Sequence, residues 1–232
     1  MKKLVSVIIP AKDEEESIGK VLADLTKAIS SIKNYDFEVI VIDDKSKDST
    51  SKIAKKYRAK VIRNNGQSGK GRALALGFEN AKGQYIVMLD ADYSHRPEDM
   101  PQFLEKLEKG YGLVVGSRHF GGSDEYDIIR YIGNFSLTAA FRLFFNVYLT
   151  DALNGYKAFK RNIIDKYDYK SKDFEIEIEL IANALREKEK VAEVPSHERR
   201  RYGGRMKSFA PLHGTKFLLK IIIEGIKLRM GL

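Results

Sequence analysis

Two aspartates separated by one alanine end an apolar segment near the middle of the chain. Residues 85–89 are apolar throughout, and Asp90-Ala91-Asp92 follows them directly. Such a run predicts a buried strand, and two carboxylates this close at its end repel each other. A divalent cation that prefers oxygen ligands, Mg²⁺ or Mn²⁺, would remove the repulsion and could bridge a nucleotide diphosphate. The alternative is a solvated turn, because Asp-x-Asp is short and common.

The composition limits the classes of protein to consider. The chain has 232 residues, of which 43% are hydrophobic, enough for one domain with a substantial core. It has no cysteine, which excludes a disulfide framework, a thiol nucleophile and a cysteine-ligated zinc site. Its four histidines lack the spacing of metal ligands. We expect neither a signal peptide nor a transmembrane helix, because no apolar run is long enough.

A basic segment near the C-terminus carries much of the net charge of +9. Its cations are Arg199, Arg200, Arg201, Arg205 and Lys207. Basic clusters attract the phosphates of nucleotides, nucleic acids or anionic membranes, although many charge runs are simply solvated. Because glycines occupy positions 203 and 204, we predict a mobile loop that closes over a bound phosphate group.

Strands and helices alternate in the first half of the chain. Apolar runs predict strands at 4–9, 37–42, 60–63, 85–89 and 113–115, and helical spacing predicts helices at 15–30, 48–57, 71–81 and 97–109. This order predicts an α/β fold with a mostly parallel, twisted sheet flanked by helices. Ligands of such sheets bind beyond the carboxyl ends of the strands.

Polar motifs follow each predicted strand. They occupy residues 10–14, 43–50, 67–72, 90–92 and 116–118. Each motif alone could be a helix N-terminus, where Asp and Ser are favoured, but five at one sheet edge predict a ligand site. Gly71 follows Lys70 where a phosphate loop needs Ser or Thr, and no glycine-rich turn follows the first strand. Both observations argue against P-loop and dinucleotide-binding folds.

The ordered set of motifs resembles the family 2 glycosyltransferases of the GT-A fold. It is most similar to the branch that transfers sugars to polyprenyl phosphates, which includes the dolichol-phosphate mannose synthases. The resemblance covers residues 4 to about 207. Its motifs are Pro10-x-Lys12-x-Glu14, Asp43-Asp44, Gly69-Lys70-Gly71-x-Ala73, Asp90-Ala91-Asp92, Gly116-Ser117-Arg118, Asp151-x-x-Asn154-Gly155-Tyr156-Lys157-Ala158, Phe174-Glu175-x-Glu177, Glu193-Val194-Pro195 and Arg201-x-x-Gly204-x-x-Lys207.

The resemblance implies a role for individual residues. The residues expected to bind the donor nucleotide, its diphosphate and its sugar are Pro10, Lys12, Glu14, Ile42, Asp44, Lys70, Asp90, Ala91, Asp92, Arg118, Arg201 and Lys207. Asp90, Asp92 and Ser94 are the expected metal ligands, with Asp92 as the direct one. Asp92, Arg118 and Arg201 are the expected catalytic residues, and Arg118 lies on the side of the acceptor phosphate.

Three positions depart from the family pattern. Lys12 stands where tyrosine is common, which affects stacking on the base. Ser94 stands where related members have a metal-binding glutamine, which affects the second protein ligand of the metal. Met206 replaces the usual serine of the C-terminal loop, which affects a contact to the donor.

The resemblance implies an inverting glycosyltransferase that depends on Mg²⁺ or Mn²⁺ and feeds protein glycosylation. Its donor would be GDP-mannose or a UDP-sugar, and its acceptor dolichyl or another polyprenyl phosphate. This acceptor is already an anion and needs no catalytic base.

The alternative is a family 2 enzyme with a soluble or polysaccharide hydroxyl acceptor, for which Glu175 or Glu177 could be the base. A non-catalytic nucleotide or nucleic-acid binding protein is more remote. Only the pI near 9.4 suggests it, so no nucleic-acid partner is expected.

Two apolar segments of the chain suggest where the protein contacts the membrane that carries the acceptor. We expect a catalytic domain at residues 1–210, which includes an apolar segment at 128–150, and an amphipathic helix at 211–232. Lys216, Lys220, Glu224 and Lys227 form the polar face of that helix. We interpret both segments as interfacial helices of a peripheral protein on the cytoplasmic face of a membrane, with lysines toward anionic headgroups. Arg118 and Arg130 would then hold the acceptor phosphate. Packing on the sheet, on a second copy or on a membrane-protein partner is the alternative.

Overall fold

The computed structural model describes residues 2–125, 128–203 and 210–231, except for the side chains of residues 129–131 and 210–213. Within these ranges the chain forms a seven-stranded sheet in the order β3-β2-β1-β4-β6-β5-β7. Neighbouring strands are parallel except where β6 is involved. The strands are β1 (Lys3–Ala11), β2 (Tyr35–Asp43), β3 (Lys60–Arg63), β4 (Tyr85–Met88), β5 (Leu113–Ser117), β6 (Lys157–Lys160) and β7 (Val191–Pro195).

Helices cover both faces of the sheet. In the same part of the chain they are α1 (Ile18–Ser31), α2 (Thr50–Lys56), α3 (Lys70–Asn80), α4 (Met100–Glu108), α5 (Arg118–Gly121), α6 (Ile128–Phe145), α7 (Asn162–Asp165), α8 (Ile176–Arg186) and α9 (Ala210–Arg229). Ile8 of β1 belongs to a core with α3, α6 and α8, whereas its neighbours Val7 and Ile9 belong to a core with α1 and α4. The central strand is therefore buried on both faces, and this explains its continuous apolar run. The predicted α/β fold is confirmed.

Strand β6 was not predicted, and it brings a further loop to the ligand edge, the edge of the sheet formed by the carboxyl ends of the parallel strands. It is only four residues long and has lysine at both ends, so it lacks the apolar pattern of a buried strand. It runs antiparallel to both β4 and β5. The loop that precedes it, residues 151–156, therefore lies at the same edge as the carboxyl ends of the parallel strands. Strand β7 and helix α8 were not predicted either.

Helix α9 packs against α6 and α8 with its polar face turned inward. The Nζ atom of Lys220 lies 3.4 Å from Glu179 Oε1 on α8 and 3.1 Å from Glu224 Oε1. Arg186 Nη2 donates to the buried Glu224 carboxylate at 2.6 Å. The polar face was predicted to point toward headgroups. For Lys220 and Glu224, in the middle of the helix, this is wrong, because they pair with charged residues of α8. Lys227, near the end of the helix, remains exposed.

Apolar side chains face outward instead on both helices. Helix α6 exposes Ile128, Ile132, Phe135 and Leu143, and α9 exposes Leu218, Leu219, Ile223 and Ile226, with the exposed Met230 directly after its end. We call these nine residues the outer apolar face. Spacings of mostly three or four residues place each set along one side of its helix. Exposed apolar patches of this kind mark interaction surfaces. Within the described ranges, no helix combines the length and the apolar character needed to cross a bilayer.

The start of α3 is fixed by a close approach between two backbones. The N–H of Gly71 donates to the carbonyl oxygen of Lys172 at 2.9 Å. A Cβ atom at position 71 would collide with the carbonyl oxygen of Ser171 and would lie 2.8 Å from that of Asp173. Because backbone atoms cannot move aside as a flexible side chain can, only glycine fits here. This contact places Lys70, one residue earlier, at the ligand edge.

We predict that Gly71→Ala destabilises the protein by about 1–3 kcal/mol, the usual cost of forcing an extra methyl group into a packed site. The free energy of unfolding would be measured by chemical denaturation. Gly133→Ala is the matched control, because a Cβ atom at Gly133 on α6 meets nothing within 4 Å and alanine favours a helix. Equal stability of Gly71→Ala and the unmodified protein would contradict the close approach.

Candidate functional site

A cavity of about 880 Å³ opens at the carboxyl edge of the sheet. Most residues that the sequence predicts for the site line it together: Pro10, Lys12, Glu14, Asp44, Lys70, Asp90, Ala91, Asp92, Ser94, Arg118 and Arg201. One wall is polar and comes from the ends of β1, β2 and β4. Four apolar side chains also line the cavity, Leu137 on α6, Phe217 on α9 and the loop residues Leu153 and Phe174, and we call these four the apolar wall. The cavity thus offers both a charged and an apolar environment.

Two predicted donor-binding residues are not in this set. The side chain of Ile42 is fully buried in the core with Ile8 and Phe78, and it does not line the cavity. We therefore correct its expected contact with the donor, because its side chain points into the sheet core. Lys207 lies outside the described residues, as does Met206. The described part of the basic segment ends at Gly203.

Asp44 organises the loop between β3 and α3. Its carboxylate accepts hydrogen bonds from Asn64 Nδ2 at 2.7 Å, from Ser68 Oγ at 2.7 Å and from the N–H of Gly69 at 2.9 Å. Lys12 Nζ reaches the same loop, because it donates to Ser68 Oγ at 2.9 Å. The loop is therefore held against the end of β1, and it closes one end of the cavity.

Asp90 is paired with a lysine from the start of α3. Lys70 Nζ lies 2.6 Å from Asp90 Oδ1. The backbone N–H of Asp90 donates to His95 Nδ1 at 3.1 Å, and His95 Nε2 lies 3.9 Å from Asp90 Oδ2. Burial alone would raise the pKa of Asp90, but the Lys70 ammonium outweighs it and the pKa falls to about 2. Asp90 is therefore ionised at every physiological pH.

Asp92 is paired with an arginine of the basic segment. Its Oδ1 atom accepts from the N–H of Ser94 at 3.0 Å and from Ser94 Oγ at 2.6 Å. Its Oδ2 atom accepts from Arg201 Nη1 at 3.1 Å, and Arg201 Nη2 donates to Glu14 Oε1 at 2.6 Å. The N–H of Tyr202 donates to the carbonyl oxygen of Asp92 at 3.0 Å. One guanidinium group thus neutralises two of the predicted ligand-binding acids.

The donor atoms at this edge suit a divalent cation that is completed by phosphate oxygens. Asp90, Asp92 and Ser94 supply hard oxygen ligands. Among the residues that the structure describes, no three His, Cys, Asp or Glu side chains converge on one point. A closed protein site is therefore not formed there. Mg²⁺ is commonly held by one or two carboxylates together with substrate phosphates, and the residues present fit that arrangement.

Arg118 is held by two acids that the sequence did not pair with it. Its Nε and Nη2 atoms donate to the two carboxylate oxygens of Asp151 at 2.6 and 2.8 Å, and Nη1 donates to Glu198 Oε1 at 3.1 Å. Asp151 is buried, which alone would raise its pKa, but Arg118 outweighs the burial and the pKa is lowered. These contacts use three of the five N–H groups of Arg118, so at most two remain for a phosphate.

The two glutamates considered as catalytic bases are placed elsewhere. Neither Glu175 nor Glu177 lines the cavity. Glu177 is 1% exposed, and its Oε2 atom lies 2.6 Å from the Nζ atom of the buried Lys157. A carboxylate shut away from the cavity and bound to a lysine cannot take a proton from an acceptor in the cavity. Glu177 is therefore not in a position to act as that base.

The pairing of Arg201 leads to a prediction about cation binding. In the nucleotide-free protein, Arg201→Ala should bind Mn²⁺ several-fold more tightly, because a competing positive charge leaves Asp92 and Glu14. Electron paramagnetic resonance of free Mn²⁺ would measure the dissociation constant. Arg199→Ala is the matched control, since Arg199 pairs with Asp24 and Glu98 instead. Weaker or unchanged Mn²⁺ binding in Arg201→Ala would contradict the competition.

Comparison with protein families and curated proteins gives consistent results. The family model described as Glycosyl transferase family 2 matches residues 6–168. An uncharacterized protein of Methanocaldococcus jannaschii is 32% identical over 97% of this chain and 93% of its own length. A dolichol-phosphate mannosyltransferase of Pyrococcus furiosus is 29% identical over 82% of this chain. An undecaprenyl-phosphate 4-deoxy-4-formamido-L-arabinose transferase of Aeromonas hydrophila is 33% identical over 70% of it.

The chain matches 55% and 51% of the lengths of those two transferases, about half of each. Among solved structures, glucosyl-3-phosphoglycerate synthase of Mycobacterium tuberculosis in complex with UDP superposes with a TM-score of 0.75 over 96% of this chain and 80% of that protein, at 22% identity. The same synthase with Mn²⁺, UDP-glucose and phosphoglyceric acid gives a TM-score of 0.75 at 20% identity. At this identity the likeness shows a shared GT-A fold.

Proposed function

Because the chain belongs to glycosyl transferase family 2, we propose that it transfers a sugar from a nucleotide-sugar, GDP-mannose or a UDP-sugar, to dolichyl or another polyprenyl phosphate at a membrane surface. The observation that carries the proposal is the two-walled cavity. Its charged wall suits a nucleotide diphosphate, and its apolar wall, formed by Leu137, Leu153, Phe174 and Phe217, suits a prenyl chain. The polyprenyl-phosphate transferases among its relatives support the same acceptor class.

The donor would lie along the ends of β1, β2 and β4. Glu14 and Asp44 would be the acids that accept hydrogen bonds from the base and ribose, and Pro10 and Lys12 line the cavity with them. Lys70 and Arg201, which both line the cavity, would provide positive charge for the diphosphate. Asp90, Asp92 and Ser94 would hold a divalent cation, which would neutralise charge on the departing diphosphate.

The acceptor reaction requires positioning more than proton transfer. A phosphate monoester is an anion near neutral pH, so its oxygen can attack the anomeric carbon without a base. The bond from that carbon to the diphosphate breaks as the new bond forms on the opposite side, and the diphosphate leaves with the bonding electrons. The anomeric configuration is inverted. The protein contributes alignment and fixed positive charge, and Arg118 is the cation on the acceptor side. The side chain of Arg130 lies outside the described residues, so its role also remains a proposal.

The outer apolar face would hold the protein at the membrane. Helices α6 and α9, which carry this face, also contribute Leu137 and Phe217 to the apolar wall of the cavity. A lipid acceptor at the outer apolar face would then lie against the same two helices that line the apolar wall of the cavity. Interfacial helices bind through buried apolar area together with attraction to anionic lipid. We accordingly place the protein as a peripheral protein on the cytoplasmic face.

The metal site and the acceptor can be tested in one assay. The purified protein, supplied with GDP-mannose or UDP-glucose and Mn²⁺, should glycosylate a short-chain prenyl phosphate in detergent, and excess EDTA should abolish the transfer. Asp92→Asn should lower turnover at least about a hundredfold, the scale for losing a key electrostatic group.

Asp168→Asn is the control for that assay, because Asp168 is exposed and pairs only with Lys170 among the described residues. Full activity of Asp92→Asn, or full activity in EDTA, would reject the metal assignment. Transfer only to a hydroxyl acceptor would reject the lipid acceptor in favour of a soluble or polysaccharide one.

Membrane binding makes a separate prediction. The protein should sediment with vesicles that contain anionic phosphatidylglycerol, and high salt should release it only in part, because apolar burial is not screened. Leu219→Glu/Ile223→Glu should reduce vesicle binding at least about tenfold while leaving transfer to a short-chain acceptor in detergent intact. Tyr57→Glu is the control, as Tyr57 is an exposed apolar residue on the far side of the fold from α9. Undiminished vesicle binding by the double variant would show that α9 does not contact lipid.

A further inference from the structure

Four charged side chains of alternating sign form a row behind the polar wall of the cavity. Lys157 Nζ lies 2.6 Å from Glu177 Oε2, and Glu177 Oε1 lies 3.1 Å from Lys70 Nζ. Lys70 Nζ in turn lies 2.6 Å from Asp90 Oδ1. Lys157 also donates to the carbonyl oxygen of Asn154 in the loop before β6. The row therefore connects β6, α8, α3 and the end of β4.

The inner half of this row is sealed from solvent. The side chains of Lys157 and Glu177 are 0% and 1% exposed, whereas those of Lys70 and Asp90 are 12% and 28% exposed. Buried ion pairs are weak contributors to stability, because apolar side chains of similar size often replace them at no cost. Stability alone therefore gives little reason to place two full charges in this core.

The outer half of the row reaches the cavity at Lys70. The surroundings of its ammonium group leave little freedom: Phe174 lies beneath it, with the ring centroid 5.3 Å from Nζ. A Cβ atom at Gly155 would come within 2.9 Å of Nζ and 2.7 Å of Asp90 Oδ2. Asp90 holds the ammonium group from the cavity side, and Glu177 holds it from the core side. Glu177 is the partner that a ligand in the cavity cannot reach.

We propose that Glu177 is a positioning residue that acts through Lys70 on the donor diphosphate. Once a bound cation engages Asp90, Glu177 remains as the fixed anion that keeps the Lys70 ammonium group at the cavity wall, where the diphosphate can meet it. Lys157 is the counter-charge that pairs with Glu177 in the core. The inference rests on the proposed function, because it takes a nucleoside diphosphate as the ligand.

Binding measurements can separate this role from a structural one. The affinities for GDP and UDP with MnCl₂ would be measured by titration calorimetry. Lys157→Met/Glu177→Leu removes both sealed charges together, so neither is left unpaired. We expect this variant to stay folded and to bind the diphosphate that the unmodified protein prefers about tenfold more weakly. Lys70→Ala should show a loss of similar size.

The decisive comparison combines the variants. If Glu177 acts only through Lys70, adding Lys157→Met/Glu177→Leu to Lys70→Ala should cause no further loss of affinity, because residues in one network are not additive. Glu177→Asp gives a second test that keeps the charge but shortens the side chain. It should weaken diphosphate binding in the unmodified background and have no effect in Lys70→Ala.

Glu224→Gln is the control for general destabilisation. Glu224 lies on α9 and is a buried partner of Arg186, which is on α8 as Glu177 is. It should lower the unfolding temperature without changing diphosphate affinity. Fully additive losses in the Lys70→Ala background, or unchanged affinity in Lys157→Met/Glu177→Leu, would overturn the positioning role alone. Failure of the unmodified protein to bind either nucleoside diphosphate would overturn the proposed function together with this inference.

Discussion

Repulsion between carboxylates gathered at one edge of the sheet is the constraint on which this site depends. Strands β1, β2 and β4 bring Glu14, Asp44, Asp90 and Asp92 to a single cavity. Four carboxylates at one edge would repel one another and push the strand ends apart unless each found a partner. Asp44 is satisfied by neutral donors, and the other three by Lys70 and Arg201. The ligand edge is therefore assembled by electrostatic pairing across distant segments.

The pairs differ in how easily they can be exchanged. Lys157 and Glu177 are sealed in the core, so separating them would leave an uncompensated buried charge. Arg201 and Lys70 lie at the cavity wall, where a phosphate group could replace an acid as their partner and a cation could replace them on the acids. The buried Lys157–Glu177 pair stays fixed while Lys70 and Arg201 can exchange partners. A diphosphate can therefore bind without disturbing the core. Helix α8, through Glu177, therefore holds Lys70 at the charged wall of the cavity.

The same helix also organises the surface proposed to meet lipid. Glu179 and Arg186 on α8 take up the charges of α9, namely Lys220 and Glu224. With Lys220 and Glu224 paired inside the protein, α9 turns its apolar side to the exterior, and Lys227 near its end is exposed beside it. The sequence correctly indicates that α9 is amphipathic. Which of its faces points inward is set by ion pairs with α8, and the sequence of α9 does not show these pairs.

Local sequence was enough to determine the α/β class, most of the parallel strands, the membership in family 2 and eleven of the residues that line the cavity. These features depend on side-chain periodicity and on short motifs at strand ends, which neighbouring residues encode directly. The tertiary structure alone decided that β6 runs antiparallel, that Ile42 faces the core, that Asp151 holds Arg118 and that α9 turns Lys220 inward. Arg201 and Glu14 are 187 positions apart, and Arg118 and Asp151 are 33 apart. Pairing over such separations depends on which elements pack together, and no local pattern records that choice.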